Sequence, residues 1–276
     1  FEETYSGDTH KGIYLGGVWY PDKTRVGWWK NGYPEYFGKV INAVDFTKVD
    51  IKLNGSSVDL AKDEFSDFEL ALDMKKGILN RSFIVTKDGQ KFRLNFERFV
   101  SVAQKELYAS KITVENLSDT EASVEIKSYI DADVFNEDAN YDEKFWNVLA
   151  QNVAETHMSL TAQTIPNNFG TPQFTTEMLA DHVTDLRPMA AETTEKSVIN
   201  TFAGQIAAGQ TVTFEKRVIV VTSRDHETQE ALTQAAQTLS QKQAESSFEE
   251  LKAAQAAGWA KRWEKADVEI SGNAES

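Results

Sequence analysis

The chain has 276 residues, with 43 acidic against 29 basic side chains and a formal net charge of -14. This excess of acid argues against nucleic-acid binding, because contacts with the phosphate backbone need clustered Lys and Arg. The absence of cysteine excludes disulfides, thiolate catalysis and cysteine-containing metal sites, and it fits a reducing compartment, the cytoplasm. No stretch approaches the roughly 18 apolar residues of a membrane span, so we expect no membrane partner.

Short runs that alternate polar and apolar residues follow one another over about residues 12–222. In residues 91–99, Phe92, Leu94 and Phe96 alternate with polar side chains, which predicts a half-buried strand. Similar runs occupy residues 113–115, 123–127, 158–162 and 212–215. Such short strands, without alternating helices, are typical of a sandwich or a barrel.

Turn-forming residues separate these runs. The Asp88-Gly89 pair is the strongest hairpin signal, because both residues tolerate the left-handed backbone of a tight turn. Further turn signals are Asn54-Gly55, Lys75-Lys76-Gly77, Asn116-Leu117-Ser118-Asp119 and Ala208-Gly209. The pattern therefore predicts a mainly β chain with a large antiparallel β-sandwich of two sheets.

The period changes from two to 3.6 near Thr222, which predicts helices over about residues 225–264. The first helix has apolar residues at helical spacing: Ala231, Leu232, Ala235, Ala236 and Leu239. A capping box over residues 246–249 would begin the second, since Ser and Glu side chains there satisfy free backbone groups. One face of this helix carries Phe248, Leu251, Gln255, Trp259 and Trp263. We expect Trp259 and Trp263 to be partly exposed.

The usual catalytic motifs are missing from the sequence. Gly16-Gly17 lacks the following Lys and Ser or Thr of a phosphate-binding loop, and there is no Gly-x-Gly-x-x-Gly or Gly-x-Ser-x-Gly motif. The four histidines, His10, His157, His182 and His226, are scattered without an i, i+4 pair. We expect solvated or core-edge histidines and no metal site.

The acidic segment 131–143 resembles part of a calcium-binding loop. Asp138, Asn140 and Asp142 match positions one, three and five of an EF-hand, but Glu143 replaces the required Gly and Leu149 the required Glu. An EF-hand is therefore excluded. A looser calcium site, a glycosidase acid–base pair and a solvated loop remain open, and the solvated loop is the most ordinary of the three.

Aromatic side chains crowd the stretch 14–37, where glycines and prolines impose turns. Such groups either fill a core or form a surface that stacks on sugars or on a partner. We expect residues 22–37 and 136–146 to lie at one end of the sandwich and to face a substrate or an interface. The candidate residues are Trp28, Trp29, Lys30, Tyr33, Asp138, Tyr141, Asp142 and Trp146. The alternative is that Trp28, Trp29 and Trp146 plug the core.

The same segments carry a family resemblance. Its motifs are Tyr5-Ser6-Gly7-Asp8-Thr9, Gly12-Ile13-Tyr14-Leu15-Gly16-Gly17-Val18, Tyr20-Pro21-Asp22-Lys23-Thr24-Arg25 and Trp28-Trp29-Lys30-Asn31-Gly32-Tyr33-Pro34-Glu35-Tyr36-Phe37. Residues 72–83, 97–101 and 136–146 match in the same order. Over essentially its whole length the chain resembles the N-terminal domain of glycoside hydrolase family 65, most closely the branch that phosphorolyses maltose.

The resemblance implies a β-sandwich over residues 1–222 and a helical linker over residues 223–276. It further implies that an (α/α)6-barrel catalytic domain follows, and that the chain is a fragment shortened at both ends. The implied reaction is inverting phosphorolysis of an α-linked glucose disaccharide, by a protein that is a homodimer and uses inorganic phosphate without a metal or organic cofactor. The implied general acid and phosphate-binding residues lie on the barrel, so we assign no catalytic residue here. A non-catalytic carbohydrate-binding or interaction module is the alternative for this chain.

Overall fold

A computed structural model describes residues 12–24, 34–136, 143–268 and 271–272. In these residues, fifteen strands precede two helices. The strands are β1 (Trp19–Lys23), β2 (Tyr36–Val40), β3 (Val49–Leu53), β4 (Ser56–Ser57), β5 (Phe65–Asp73), β6 (Ile78–Lys87), β7 (Gln90–Val100), β8 (Leu107–Asn116), β9 (Ala122–Asp131), β10 (Trp146–Val153), β11 (His157–Thr164), β12 (Thr175–Thr184), β13 (Arg187–Thr193), β14 (Ser197–Ile206) and β15 (Thr211–Thr222). The helices are α1 (Gln229–Ala244) and α2 (Phe248–Ala266). The mainly β fold with a helical end is confirmed.

Two large sheets form the sandwich. The larger sheet has eight strands in the order β10-β11-β12-β15-β8-β7-β6-β5, and the smaller has five in the order β13-β14-β9-β3-β4. A separate hairpin is formed by β1 and β2. Neighbouring strands in all three sheets are antiparallel, as the succession of short strands and turns predicts.

Side-chain alternation places the core where the sequence predicts it. On β7, Phe92 and Leu94 are completely buried and Phe96 is 3% exposed. The turn before β7 places Asp88 and Gly89 at φ values of 49° and 78°, the left-handed conformation expected of that pair. Both predictions, the strand and the hairpin, are therefore confirmed.

The interior contains two apolar clusters separated by polar residues. The first core cluster includes Phe83, Phe92, Leu94, Ile126, Phe202 and Phe214. The second core cluster includes Ile41, Ile130, Trp146, Met178, Val198 and Val218. Between them lies a polar layer, one residue from each of four strands: Ser128, His182, Asn200 and Lys216. Since each interrupts an inward-facing apolar row, the sandwich has two cores stacked along its strands.

Both helices pack on the outer face of the eight-stranded sheet. On α1, Leu232 and Ala236 pack against Leu179 and Ile219. Polar bonds fix the same helix, because Asp181 on β12 accepts hydrogen bonds from Ser240 and Gln243.

Helix α2 begins one residue later than predicted. The capping box joins Ser247 to Glu250, because the Ser247 hydroxyl accepts from the backbone of Glu250 while the Glu250 carboxylate accepts from the backbone of Ser247. Phe248 is 2% exposed and packs against Phe99 of β7. The hydrophobic spacing located this helix, but it did not distinguish between two adjacent serines as the cap.

The two tryptophans near the end of α2 are half-buried, which agrees with the partial exposure predicted for them. Trp263 donates from Nε1 to the backbone oxygen of Met74, 3.1 Å away. Trp259 lies against Gly77, at the turn between β5 and β6. The described helices include none that is long and apolar enough to cross a membrane.

Candidate functional site

The β1–β2 hairpin contains the described part of the first aromatic segment. Its strands pair from Trp19 opposite Val40 to Lys23 opposite Tyr36. An ion pair between Asp22 and Lys39 links them across the sheet. We call the paired strands β1 and β2, Trp19–Lys23 and Tyr36–Val40, the hairpin stem.

Aromatic contacts fasten this stem to the sandwich. Trp19 stacks on Tyr36 with ring centroids 6.4 Å apart, and it also contacts Phe174 at 6.1 Å. Tyr36 contacts Phe169 at 4.7 Å, and Tyr20 contacts Phe145 at 4.8 Å. Stacked and tilted rings of this kind each add to the burial of apolar surface. The hairpin is therefore attached at one end of the sandwich, above the second core cluster.

The base of the β1–β2 hairpin contacts the start of the second sequence segment, residues 136–146, at this end. The backbone N–H of Asn42 donates to Oδ1 of Asn136 at 2.7 Å, and Nδ2 of Asn136 donates to the carbonyl of Val40 at 2.8 Å. The hydroxyl of Tyr20 donates to the carbonyl of Pro166 at 3.0 Å. The two bonds of Asn136 bring the base of the β1–β2 hairpin beside the start of segment 136–146. We call the surface formed by the hairpin stem, Asn136 and residues 143–145 the hairpin surface.

Most of the candidate site residues lie outside the described residues. These are Trp28, Trp29, Lys30 and Tyr33 in the first segment and Asp138, Tyr141 and Asp142 in the second. Trp146 is described, and it is only 3% exposed. Its Nε1 donates to the carbonyl of Asn42 at 2.7 Å, and its ring belongs to the second core cluster. Trp146 therefore packs inside the sandwich, beneath the hairpin surface.

Ion pairs dominate the electrostatics at the hairpin surface. The Lys144 ammonium lies 2.6 Å from Asp133, and that of Lys196 lies 3.4 Å away. Chiefly because Lys144 donates a hydrogen bond to it, the pKa of Asp133 is held below its ordinary value. Burial, with smaller effects of Glu143 and Asp22, raises the pKa of the Tyr20 hydroxyl. A carboxyl with a lowered pKa stays ionised near neutrality, so Asp133 is suited to ion pairing and not to proton donation.

Metal chemistry finds no support in the described ranges. They contain no group of three or more His, Cys, Asp or Glu side chains that could hold an ion. Asp138, Asn140 and Asp142, on which the calcium hypothesis depended, lie outside these ranges.

The most strongly perturbed titratable groups were missed by the sequence analysis. His182 lies wholly inside the protein, contrary to the expectation of solvated or core-edge histidines. Burial lowers its pKa to about 3, and burial lowers the pKa of Lys216 to about 7. The sequence did contain an indication of this burial. Lys216 lies two residues from both Phe214 and Val218, so on β15 it faces the interior as they do.

His182 bonds to the hydroxyl of Ser128 and the carbonyl of Thr156, and Lys216 donates to the carbonyl of Tyr129. Both are therefore structural groups.

Fold and site together define a class of protein: a two-sheet β-sandwich with helices on its larger sheet and an aromatic surface at one end. The chain belongs to a family within that class. Residues 1–262 match the glycosyl hydrolase family 65, N-terminal domain.

Three comparisons illustrate the family. The chain is similar to maltose phosphorylase of Bacillus subtilis (strain 168), with 44% identity over 276 residues, covering 100% of this chain and 36% of the relative. It is 27% identical over 276 residues to kojibiose phosphorylase of Escherichia coli (strain K12), covering 98% of this chain and 33% of the relative. A solved structure of a proposed kojibiose phosphorylase from the human microbiome superposes with a TM-score of 0.85 at 21% identity, covering 97% of this chain and 34% of that one, which shows the shared fold. The chain spans about a third of the length of the curated relatives it matches.

Proposed function

We propose that the chain is the N-terminal sandwich of a glycoside phosphorylase that acts on maltose. The observation that carries this proposal is the 44% identity to a maltose phosphorylase over all 276 residues, against 27% for a kojibiose phosphorylase over the same length. The difference favours maltose among the α-linked glucose disaccharides. The phosphorylase would act in the cytoplasm, for which the cysteine-free sequence is the support.

The proposed reaction is an inverting phosphorolysis. A phosphate oxygen attacks the anomeric carbon of one glucose unit while the bond to the bridging oxygen breaks, and a carboxylic acid protonates that oxygen as the second glucose leaves. The products are β-glucose 1-phosphate and glucose. Phosphate is the co-substrate, and the reaction uses no metal or organic cofactor. We assign neither the acid nor the phosphate site to this chain, which supplies the scaffold beside them.

We assign the hairpin surface to contact with the substrate, with the catalytic domain or with the second subunit of a homodimer. The support is that Asn136, at the start of the second candidate segment, bonds to Val40 and Asn42 at the base of the hairpin whose strands carry the described ends of the first segment. The residues we expect to make this contact are Trp28, Trp29, Lys30, Tyr33, Asp138, Tyr141 and Asp142. Large aromatic groups mixed with charged ones are typical of interfaces and of sugar stacking.

This assignment is tested in the longer enzyme with Trp29→Ala and Asp142→Asn. We expect a raised KM for maltose or weaker dimerisation, with Tm unchanged. Asp119→Asn, at an exposed turn of the sandwich, is the control and should alter neither. Reduced stability with unaltered kinetics in the folded fraction would refute the assignment and leave these side chains a core-filling role.

A second candidate function is a non-catalytic carbohydrate-binding or interaction module. It is favoured by Asp133, because the hydrogen bond and ion pairs with Lys144 and Lys196 lower the pKa of its carboxyl group. A general acid needs a carboxyl group with a raised pKa. Incubating the 276-residue chain alone with maltose and phosphate tests whether the chain has a catalytic site of its own. We expect no glucose above the blank. Turnover by the chain alone would mean that the acidic segment is itself a hydrolase or lyase site.

A further inference from the structure

A polar hollow of about 490 Å³ lies on the outer face of the eight-stranded sheet. It is open to solvent beside α2, far along the sheet from the hairpin surface. Seven polar side chains line it, and we call them the polar ladder: Glu69, Asn80, Ser82, Asn95, Glu97, Lys111 and Thr113. Asn80, Ser82 and Glu97 fall in segments that carry the family resemblance, but that resemblance assigns none of the seven side chains a role.

Strand register fixes the ladder as two parallel rows. Glu69 lies opposite Ser82, Ser82 opposite Asn95, and Asn95 opposite Thr113. The second row runs from Asn80 through Glu97 to Lys111. With neighbouring strands about 4.8 Å apart, the four strands of the first row give it a length of roughly 15 Å, and the three strands of the second row give it roughly 10 Å. A rigid row of this length suits an extended molecule better than a single small one.

Helix α2 borders the hollow without filling it. Lys252 of α2 lies 2.9 Å from Glu97, and Glu249 lies 3.5 Å from Lys111. These ion pairs hold the charged end of the second row against the helix. The first row is left facing solvent, and its members are intermediate or exposed.

The first row is free to hydrogen-bond a ligand. Asn95 donates from Nδ2 to the hydroxyl of Thr113 at 3.1 Å, which orients the amide and leaves its Oδ1 available. Within the described ranges, the side chains of Glu69, Asn80 and Ser82 make no hydrogen bond or ion pair. Hydroxyl and amide groups donate and accept alike, while Glu69 only accepts. Because sugar hydroxyls also donate and accept, such a row complements them.

The lining argues against other ligands. No large apolar side chain of the lining is exposed, since Phe96 is 3% exposed and Ala71 is small, and this disfavours a hydrophobic molecule. The carboxylates of Glu69 and Glu97 are balanced in the lining by Lys111 and Arg81, so the hollow offers no net charge that would select an ionic ligand. A peptide that added a strand would bind the sheet edge and not its face. We propose that the polar ladder binds a linear, neutral oligosaccharide without chemistry on it, a function separate from the phosphorolysis proposed above.

The test is titration of the 276-residue chain with maltose, maltotriose and maltoheptaose, followed by backbone amide NMR. We expect binding that strengthens with chain length, with shift changes centred on Ser82, Asn95 and Thr113. Asn95→Ala should weaken it about tenfold by removing one directed hydrogen-bonding group. Ser82→Arg should abolish it by filling the hollow, with Tm measured for both variants.

Gln205→Ala, on the outer face of the smaller sheet, is the matched control and should bind as the wild type does. The proposal is overturned if no amide shifts with any of the three sugars, or if the shifts centre on the hairpin surface and persist in Ser82→Arg. Either result leaves the phosphorylase proposal standing, because that is measured by phosphorolysis in the longer enzyme. Conversely, a longer enzyme that does not phosphorolyse maltose leaves this binding test unaffected.

Discussion

His182 and Lys216 lie opposite each other on β12 and β15, and both side chains are buried between the two core clusters. Lys216 donates from Nζ to the carbonyl of Tyr129 at 2.6 Å, on the facing sheet. His182 is hydrogen-bonded to the hydroxyl of Ser128 at 2.9 Å, also on the facing sheet. His182 and Lys216 therefore hydrogen-bond the eight-stranded sheet to the five-stranded sheet within the polar layer that separates the two core clusters. Its buried polar groups tolerate the interior because they are hydrogen-bonded.

Lys216→Met should flatten the rise of stability with pH above neutrality. Burial lowers the pKa of Lys216 to about 7, although the charge of Asp45 opposes this. Between about pH 7 and the ordinary Lys value of 10.5, the unfolded chain binds more protons than the folded one, so this residue makes stability rise with pH. His157 contributes the opposite slope near neutrality, since Asp181 raises its pKa. The free energy of unfolding in urea is measured at pH 7 and pH 9 for the wild type and the variant, and the difference between their two pH-dependent changes gives the contribution of Lys216. The same change with pH in both proteins would mean that Lys216 does not have a lowered pKa in the folded chain.

His182→Gln should reduce the loss of stability in acid. The folded pKa of about 3 lies below the ordinary value of 6.5, so the neutral side chain favours folding fully above pH 6.5 and progressively less as pH falls toward 3. Gln keeps a donor and an acceptor but does not titrate in this range. Chemical unfolding at pH 7 and pH 4.5 should show a smaller drop for the variant than for the wild type. The same drop in both would mean that His182 is not buried in its neutral form.

Gly77→Ala should destabilise the chain more than Gly89→Ala. Both glycines have a positive φ, 64° and 78°, so each substitution carries backbone strain of about 1 kcal/mol. A methyl group at Gly89 meets nothing within 4 Å, whereas one at Gly77 would collide with the ring of Trp259. We therefore expect roughly 2–4 kcal/mol for Gly77→Ala, with altered tryptophan fluorescence. Equal free energies of unfolding for the two variants would show that α2 does not pack on this turn.

Trp146→Ala should cost about 3–5 kcal/mol of stability, because it empties a buried aromatic site. The side chain is 3% exposed, and the variant also leaves the carbonyl of Asn42 without its indole donor. Leu149→Ala is the control on the same strand, since Leu149 is 54% exposed and should lose little. Urea unfolding of both variants gives the comparison. A loss for Trp146→Ala as small as that of the control would mean that its ring is not part of the core.

The sequence predicted the elements whose signal is local. The alternation around Phe92 located β7, the Asp88-Gly89 pair located its hairpin, and the change of period located the helices. The order of the strands depended on contacts between distant residues, which no local pattern encodes. Burial of Lys216 was missed because a lysine in an alternating run is normally assigned to the solvent face.

The candidate site was only partly accessible to sequence reasoning. The crowding of aromatic residues drew attention to residues 14–37, but it did not predict the pairing of β1 with β2. The contact with Asn136 depends on bonds between its side chain and the backbone of Val40 and Asn42, which no local pattern indicates. Phe169 and Phe174, which pack against the hairpin, were missed because they lie in a connection between strands more than 130 residues away along the chain. The polar ladder was also missed, since its rows exist only once four strands are in register.

The most direct test is phosphorolysis by the longer enzyme that we propose contains this sandwich. The purified enzyme is incubated with phosphate and, separately, maltose, kojibiose, trehalose or nigerose, and the anomeric form of the glucose 1-phosphate is read by proton NMR. The account predicts β-glucose 1-phosphate and glucose in equal amounts, with maltose giving the highest kcat/KM. Release of glucose without a sugar phosphate, or a higher kcat/KM for kojibiose than for maltose, would contradict it.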